Sequence, residues 1–202
     1  MPDISPSGPE VLVAIVFHSG YGHTARQAEA VRRCAEKVAG ASVLYLTSEE
    51  APKRWDDLAQ ADAIIFGAPT YMGSASGQFK AFMDATSKVF ASGAWRDKLA
   101  AGFTNSASRS GDKLATLLQF AILAGQLGMH WVNLGIPPGN NQSNGSEEDL
   151  NRLGVFLGAA AQSNADEGPD KAPPPADLLT AERLGERVAK VALQMARGRM
   201  AA

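Results

Sequence analysis

Ser19-Gly20-Tyr21-Gly22-His23-Thr24 sets two glycines and three hydroxyl side chains between an apolar run and a helical pattern. The run before it, Val11–Phe17, reads as a buried strand. After it Ala28, Val31, Ala35 and Val38 recur at steps of three and four, as on one face of a helix. A strand, a Gly-hydroxyl turn and a helix start together make a phosphate site. The helix start offers unpaired N–H groups and the positive end of its dipole. Glycine lets backbone approach closely, and hydroxyls add neutral donors. The turn holds no Lys or Arg, so it points to a monophosphate held by backbone and hydroxyls rather than by charge.

Other chemistries fit these residues less well. Ser19 is not in a Gly-x-Ser-x-Gly elbow, which argues against a nucleophile. The turn lacks the Lys of a Walker A loop, and it fails the Gly-x-Gly-x-x-Gly fingerprint because Ala25 follows. His23 is expected to contribute backbone donors rather than a base, and His18 to be structural. His18, His23 and Cys34 lack zinc-ligand spacing, so no metal is expected.

Two more segments share this composition: Pro69-Thr70-Tyr71-Met72-Gly73-Ser74-Ala75-Ser76-Gly77 and Asn105-Ser106-Ala107-Ser108-Arg109-Ser110-Gly111. Each follows an apolar run that reads as a strand, at 63–68 and 99–104. In open α/β sheets ligands sit at the carboxyl ends of the strands. The three loops are therefore expected to surround one elongated ligand, with phosphate at the first and a flat ring between the others.

The positioning elements follow from alternation of apolar runs with helical patterns, the signature of a doubly wound parallel sheet. Strands are expected at 11–17, 43–46, 63–68, 99–104 and 129–134. The fifth is interrupted by a polar insertion and resumes at Val155-Phe156-Leu157-Gly158. Helices are expected near 24–39, 77–91, 112–126 and 178–197, with a short one at Trp55–Leu58. One domain is expected over 11–197, after a tail at 1–10. Loop 137–149 is placed at the carboxyl edge or a subunit contact, and loop 163–177 is read as a surface connection. Trp131 and Phe103 are read as core.

Composition bounds the function. The chain has 202 residues, 45% apolar and 20% charged, with a formal net charge of -2. That charge gives no electrostatic argument for nucleic acid or an anionic membrane. No apolar run approaches the roughly 18 residues that span a bilayer, and Met1–Glu10 does not read as a signal peptide. A cytoplasmic location is expected. The single cysteine, Cys34, excludes an intramolecular disulfide and is read as small and buried.

The chain resembles the flavodoxin superfamily, and within it the WrbA-type NAD(P)H:quinone oxidoreductases, which bind FMN. The resemblance rests on Ser19–Thr24, on Gly67-Ala68-Pro69-Thr70-Tyr71-Met72-Gly73 with Ser76-Gly77-Gln78, and on Lys98–Phe103, and covers about residues 11–135. It implies a five-stranded parallel sheet of order 2-1-3-4-5 with helices on both faces. Ser19, Gly20, Tyr21, Gly22, His23 and Thr24 would hold the FMN phosphate. Pro69, Thr70, Tyr71, Met72 and Gly73 would border the ring. Ser106, Ala107, Ser108, Arg109, Ser110 and Gly111 would follow its pyrimidine edge and the ribityl chain. Trp95 matches an aromatic lining the substrate cleft, and Tyr21 a position contacting the nicotinamide.

Two positions depart from the family pattern. Leu127 stands where the family often has a His near the flavin, and Arg109 where small residues are usual. Arg109 could bind a nicotinamide-nucleotide phosphate or face solvent. The resemblance implies FMN-dependent two-electron reduction of quinones or similar planar acceptors by NADH or NADPH. The order would be ping-pong, with hydride passing through flavin N5 and no catalytic side chain. It also implies a homodimer or homotetramer. The alternatives are a flavodoxin-type electron carrier, which a charge of -2 argues against, and a flavin-free interaction module.

Overall fold

The first apolar run forms strand β1 (Val11–Phe17), buried on both faces as a central parallel strand must be. The computed structural model describes residues 8–201, so residues 1–7 of the expected tail lie outside the description. After β1 come α1 (His23–Ala35), β2 (Ala41–Thr47), a 3-10 turn at Ala51–Lys53, α2 (Trp55–Gln60) and β3 (Ala63–Tyr71). β4 (Ser74–Ala75) folds back antiparallel onto the end of β3. Then follow α3 (Gly77–Ala85), α4 (Ser87–Ser92), β5 (Leu99–Ser106), α5 (Lys113–Gln126), β6 (His130–Trp131), β7 (Ala159–Gln162) and α6 (Pro175–Met200).

The parallel sheet runs β2-β1-β3-β5, with β6 and β7 both on the outer edge of β5. Counting those two as one interrupted strand, this is the flavodoxin-like order 2-1-3-4-5. Side-chain alternation divides the core between the two faces. Val13, Ile15 and Phe17 of β1 face α1 and α6, against Val31, Leu184 and Val188. Ala14 and Val16 face the opposite layer, built from Leu58, Phe79, Phe82, Leu117 and Phe120. Each such fully buried aliphatic or aromatic side chain contributes about 1.5–3 kcal/mol.

Several elements depart from expectation. The fifth strand does not run over 129–134: β6 keeps two residues, and pairing resumes at Ala159–Gln162 rather than at Val155–Gly158. Phe156 points to solvent there, and Trp131 Nε1 donates to the Leu157 carbonyl at 2.9 Å. That stretch bridges elements instead of pairing with β5. The helix expected over 77–91 breaks at Thr86, whose buried hydroxyl donates to the Met83 carbonyl at 2.6 Å. Cys34 is half-buried rather than buried, because α6 leaves room for Glu182 to approach its thiol at 3.4 Å. No helix among the described residues is long and apolar enough to cross a membrane.

Candidate functional site

Register places the ends of β1, β3 and β5 side by side, with Phe17 opposite Gly67 and Pro69 opposite Asn105. The three loops that leave these ends open onto one cavity of about 700 Å³. That lies within the roughly 300–1,000 Å³ typical of small-molecule sites. Tyr21, His23 and Thr24 line one end, Pro69, Thr70, Tyr71 and Met72 a wall, and Ser106 and Ala107 the facing wall.

The first turn is built around Ser19. Its Oγ accepts the N–H groups of Gly22 and Ala25, both at 3.1 Å, which leaves the hydroxyl proton unspent. Gly22 caps α1 at φ 88°, a left-handed conformation that glycine adopts freely. The N–H groups of His23 and Thr24, at the open end of α1, are bonded to nothing among the described residues. Neither is the Thr24 hydroxyl, though that residue is buried. Unpaired donors at a helix start, with no cation on the cavity wall, suit a phosphate dianion. The residues present therefore fit the phosphate end of FMN.

The wall between β3 and β4 is aromatic. Tyr71 meets Tyr21 edge-on with ring centroids 6.1 Å apart, and its hydroxyl lies over Gly20. Burial pushes the Tyr71 phenol above its ordinary pKa. Tyr21 (76% exposed) and Met72 (102%) stand at the open mouth. Gly73 (φ 79°) sits in the turn behind them, outside the cavity lining.

Thr70 lines the cavity, but its hydroxyl bonds within the protein. Its hydroxyl lies 2.8 Å from those of Thr104 and Thr116, and Thr104 donates to the Ala68 carbonyl at 2.7 Å. Each hydroxyl has one proton, so the chain runs from Thr116 to Thr70 to Thr104 to the carbonyl. The Thr70 hydroxyl proton is thus committed inward.

The facing loop divides. Ser106 and Ala107 reach the cavity, whereas Ser108, Arg109, Ser110 and Gly111 lie outside its lining. Arg109 turns away because Glu147, from loop 137–149, takes its guanidinium at 2.5 Å. Arg109 and Arg152 hold the Glu147 carboxyl below the usual carboxylate range. Loop 137–149 thus docks beside the carboxyl-end loops, one of its two expected places. Arg152 in turn forms a buried two-pronged pair with Asp177, at 2.8 and 2.9 Å.

Trp95 corrects the sequence expectation outright. It is 1% exposed and packs among Phe66, Phe82 and Trp55 in the second core layer, so it does not line the cleft. His18 is structural, with Nδ1 2.8 Å from the buried Ser76 hydroxyl. Leu127 is buried at the end of α5, and His130 lies exposed in β6 near Asp97.

Other residues at the site went unread in the sequence. Loop 163–177 is no plain connection: Ser163, Ala165, Glu167 and Gly168 line the cavity. His23 Nε2 meets the Glu167 carbonyl at 2.8 Å, and the Ser163 hydroxyl donates to Asn105 Oδ1 at 2.9 Å. The length of that loop was the available signal. Lys113, at the start of α5, is buried, and its Nζ donates to Ser106 Oγ at 2.7 Å and to the carbonyls of Ser108 and Arg109 at 2.5 and 3.1 Å. Burial pushes its pKa down to about 8. Nothing in the sequence marked it.

Comparison with known proteins gives the family and the fold. The family model described as NADPH-dependent FMN reductase matches residues 16–142, more than half of the chain. "Flavodoxin FldP" of Pseudomonas aeruginosa is 45% identical over 183 residues, covering 90% of this chain and 96% of that protein. An "NAD(P)H dehydrogenase (quinone)" of Geotalea uraniireducens is 33% identical over 207 residues, covering 92% and 99%. Among solved structures, a flavodoxin described as a WrbA-like protein from Agrobacterium tumefaciens superposes with a TM-score of 0.70 at 42% identity, covering 92% of this chain and 99% of that one.

Proposed function

The chain belongs to the NADPH-dependent FMN reductase family, and from that premise we propose that it reduces quinones or similar planar acceptors with NADH or NADPH. The observation that carries this reading is the asymmetry of the cavity: a closed anchoring end of free N–H groups and hydroxyls, and an open aromatic mouth at Tyr21 and Met72. Bound FMN supplies the two-electron chemistry. The protein's part is to hold and expose it.

Ser19 to Thr24 bind the phosphate through backbone and hydroxyl donors. Pro69 to Met72 and Asn105 to Ala107 flank the ring. Ser163 to Gly168 close the phosphate end, so exchange of small molecules occurs at the mouth. One open mouth that both donor and acceptor must use favours a ping-pong order. No side chain there is placed as an obligatory acid or base. A second copy of the chain, in a dimer or tetramer, would complete the cleft beside Tyr21.

The test is steady-state oxidation of NADH and NADPH by the FMN-loaded protein with benzoquinone. Turnover with parallel double-reciprocal lines is expected. Intersecting lines would refute the ping-pong order. A second reading, an electron carrier, is favoured by the 45% identity to a protein named as a flavodoxin. It predicts FMN binding without NAD(P)H turnover. If the visible spectrum of added FMN does not change at all, both readings fail and a flavin-free module remains.

A further inference from the structure

We propose that Lys113 is a positioning residue for the bound cofactor, holding loop 106–111 in place and fixing the Ser106 hydroxyl as a hydrogen-bond donor into the cavity. The inference rests on the FMN reading above. Its basis is a count of protons and acceptors.

A lysine ammonium has three N–H groups and no acceptor. All three are placed, on Ser106 Oγ, the Ser108 carbonyl and the Arg109 carbonyl. One side chain on the rigid first turn of α5 thus ties down three positions of the loop. Because Ser106 Oγ receives an N–H, its own proton must find another acceptor. Among the described residues only the Ser108 and Gly111 carbonyls are in range, at 3.5 and 3.3 Å. Both are long for an O–H···O bond, which prefers about 2.5–3.0 Å. Ser106 itself lines the cavity, so an acceptor on a ligand there captures the proton.

The charge is equally informative. Among the described residues Lys113 is in no ion pair. Asp177 of α6 favours its charged form from a distance, but that carboxylate is engaged by Arg152, whose own charge opposes it. Arg109 and Asp112 flank it in the chain, and Arg109 is turned toward Glu147. A buried cation without a carboxylate is costly, and an anion bound in the neighbouring cavity offsets part of that cost at longer range, without touching the ammonium.

The pH dependence follows with a definite sign. Bound FMN raises the Lys113 pKa above its value of about 8 in the free protein, so binding takes up a proton and affinity falls as pH rises past about 8. The phosphate does not produce this fall, since its second ionisation, near pH 6, is complete by then.

Cofactor-free protein is titrated with FMN by fluorescence quenching at pH values from about 6.5 to about 9.5, on both sides of the Lys113 pKa of about 8. Lys113→Met is expected to weaken binding on the order of tenfold near neutral pH, the loss of the hydrogen bond that Ser106 makes to the ligand when the lysine holds it, and to flatten the fall above pH 8. Lys113→Arg keeps the charge and should bind without that fall. Ser106→Ala, which leaves the lysine, should weaken binding severalfold and serves if Lys113→Met does not fold. A wild-type affinity constant across the pH range, or Lys113→Met binding within twofold of wild type, overturns the proposal. If wild-type protein binds no FMN, the functional reading fails. Hydrogen exchange of loop 106–111 in the cofactor-free protein then decides: faster exchange in Lys113→Met supports the latch, and unchanged exchange overturns it.

Discussion

Replacing Gly22 by alanine tests how the phosphate turn is held. Gly22 sits at φ 88°, where an L side chain costs about 1–2 kcal/mol. A Cβ there would stand 2.9 Å from Pro169 Cγ and 3.1 Å from Pro169 Cβ, well inside the roughly 3.5–4.0 Å of a carbon contact. Pro169 has a stiff ring and cannot swing aside. Its loop is pinned by His23 Nε2 on the Glu167 carbonyl at 2.8 Å and by Ala172 N–H on the Gly168 carbonyl at 3.1 Å. Relieving such an overlap costs about 1–3 kcal/mol more. Gly73 is the control, with a similar φ of 79° and nothing within 4 Å of an added Cβ. Gly73→Ala should cost only the strain, about 1–2 kcal/mol, and Gly22→Ala about 2–5 kcal/mol in total by urea denaturation. In folded Gly22→Ala the displaced N–H groups should weaken FMN about tenfold or more, the worth of one hydrogen bond to a charged group. Equal destabilisation of the two variants, or FMN binding by Gly22→Ala within twofold of wild type, would refute the reasoning.

Trp95→Ala should lose about 3–5 kcal/mol of stability. Trp95→Phe, which also removes an indole N–H left without a partner, should keep kcat/KM for benzoquinone within about twofold; a larger loss would put Trp95 back in the cleft. Arg152→Ala strands buried Asp177 and should cost about 3–5 kcal/mol, with little recovery in Arg152→Lys because a lysine cannot make both bonds; a urea midpoint at the wild-type value would contradict this. Thr70→Val leaves Thr104 without its donor and Thr116 without its acceptor, at about 1–3 kcal/mol, readable as a lowered Tm. Lys113, with a folded pKa of about 8 against an ordinary 10.5, binds fewer protons folded than unfolded across that window. Its contribution makes stability rise with pH from about 8 to 10.5 and leaves it level below about 8, where both states hold the proton; the difference between wild type and Lys113→Met in urea should show this slope, and its absence would argue that the ammonium is well solvated.

By itself the sequence determined the four central strands of the sheet, the Gly-hydroxyl turn at the start of α1 and the family. These are local features: apolar runs of strand length, a Gly-hydroxyl turn at a helix start, and the order in which they recur. Strand order came with the family resemblance that these features carry, since apolar runs alone say which segments are strands and not which are neighbours. What lay beyond reach depends on which distant segments share space. Trp95 has the look of a cleft residue beside Gly93 and Arg96, yet Phe66, Phe82 and Trp55 converge on it from three elements. Arg109 was left between ligand and solvent, and Glu147, 38 residues away, decided its direction. Loop 163–177 has no motif, and only the position of β7 on the outer edge of β5 brings it over the phosphate turn. Lys113 reads as an ordinary charged residue at a helix start until packing buries it against three oxygens. Periodicity records which face of an element is apolar; the partner of each polar group is set by tertiary packing, because burial makes an unpaired donor or charge costly and selects the arrangement that satisfies it.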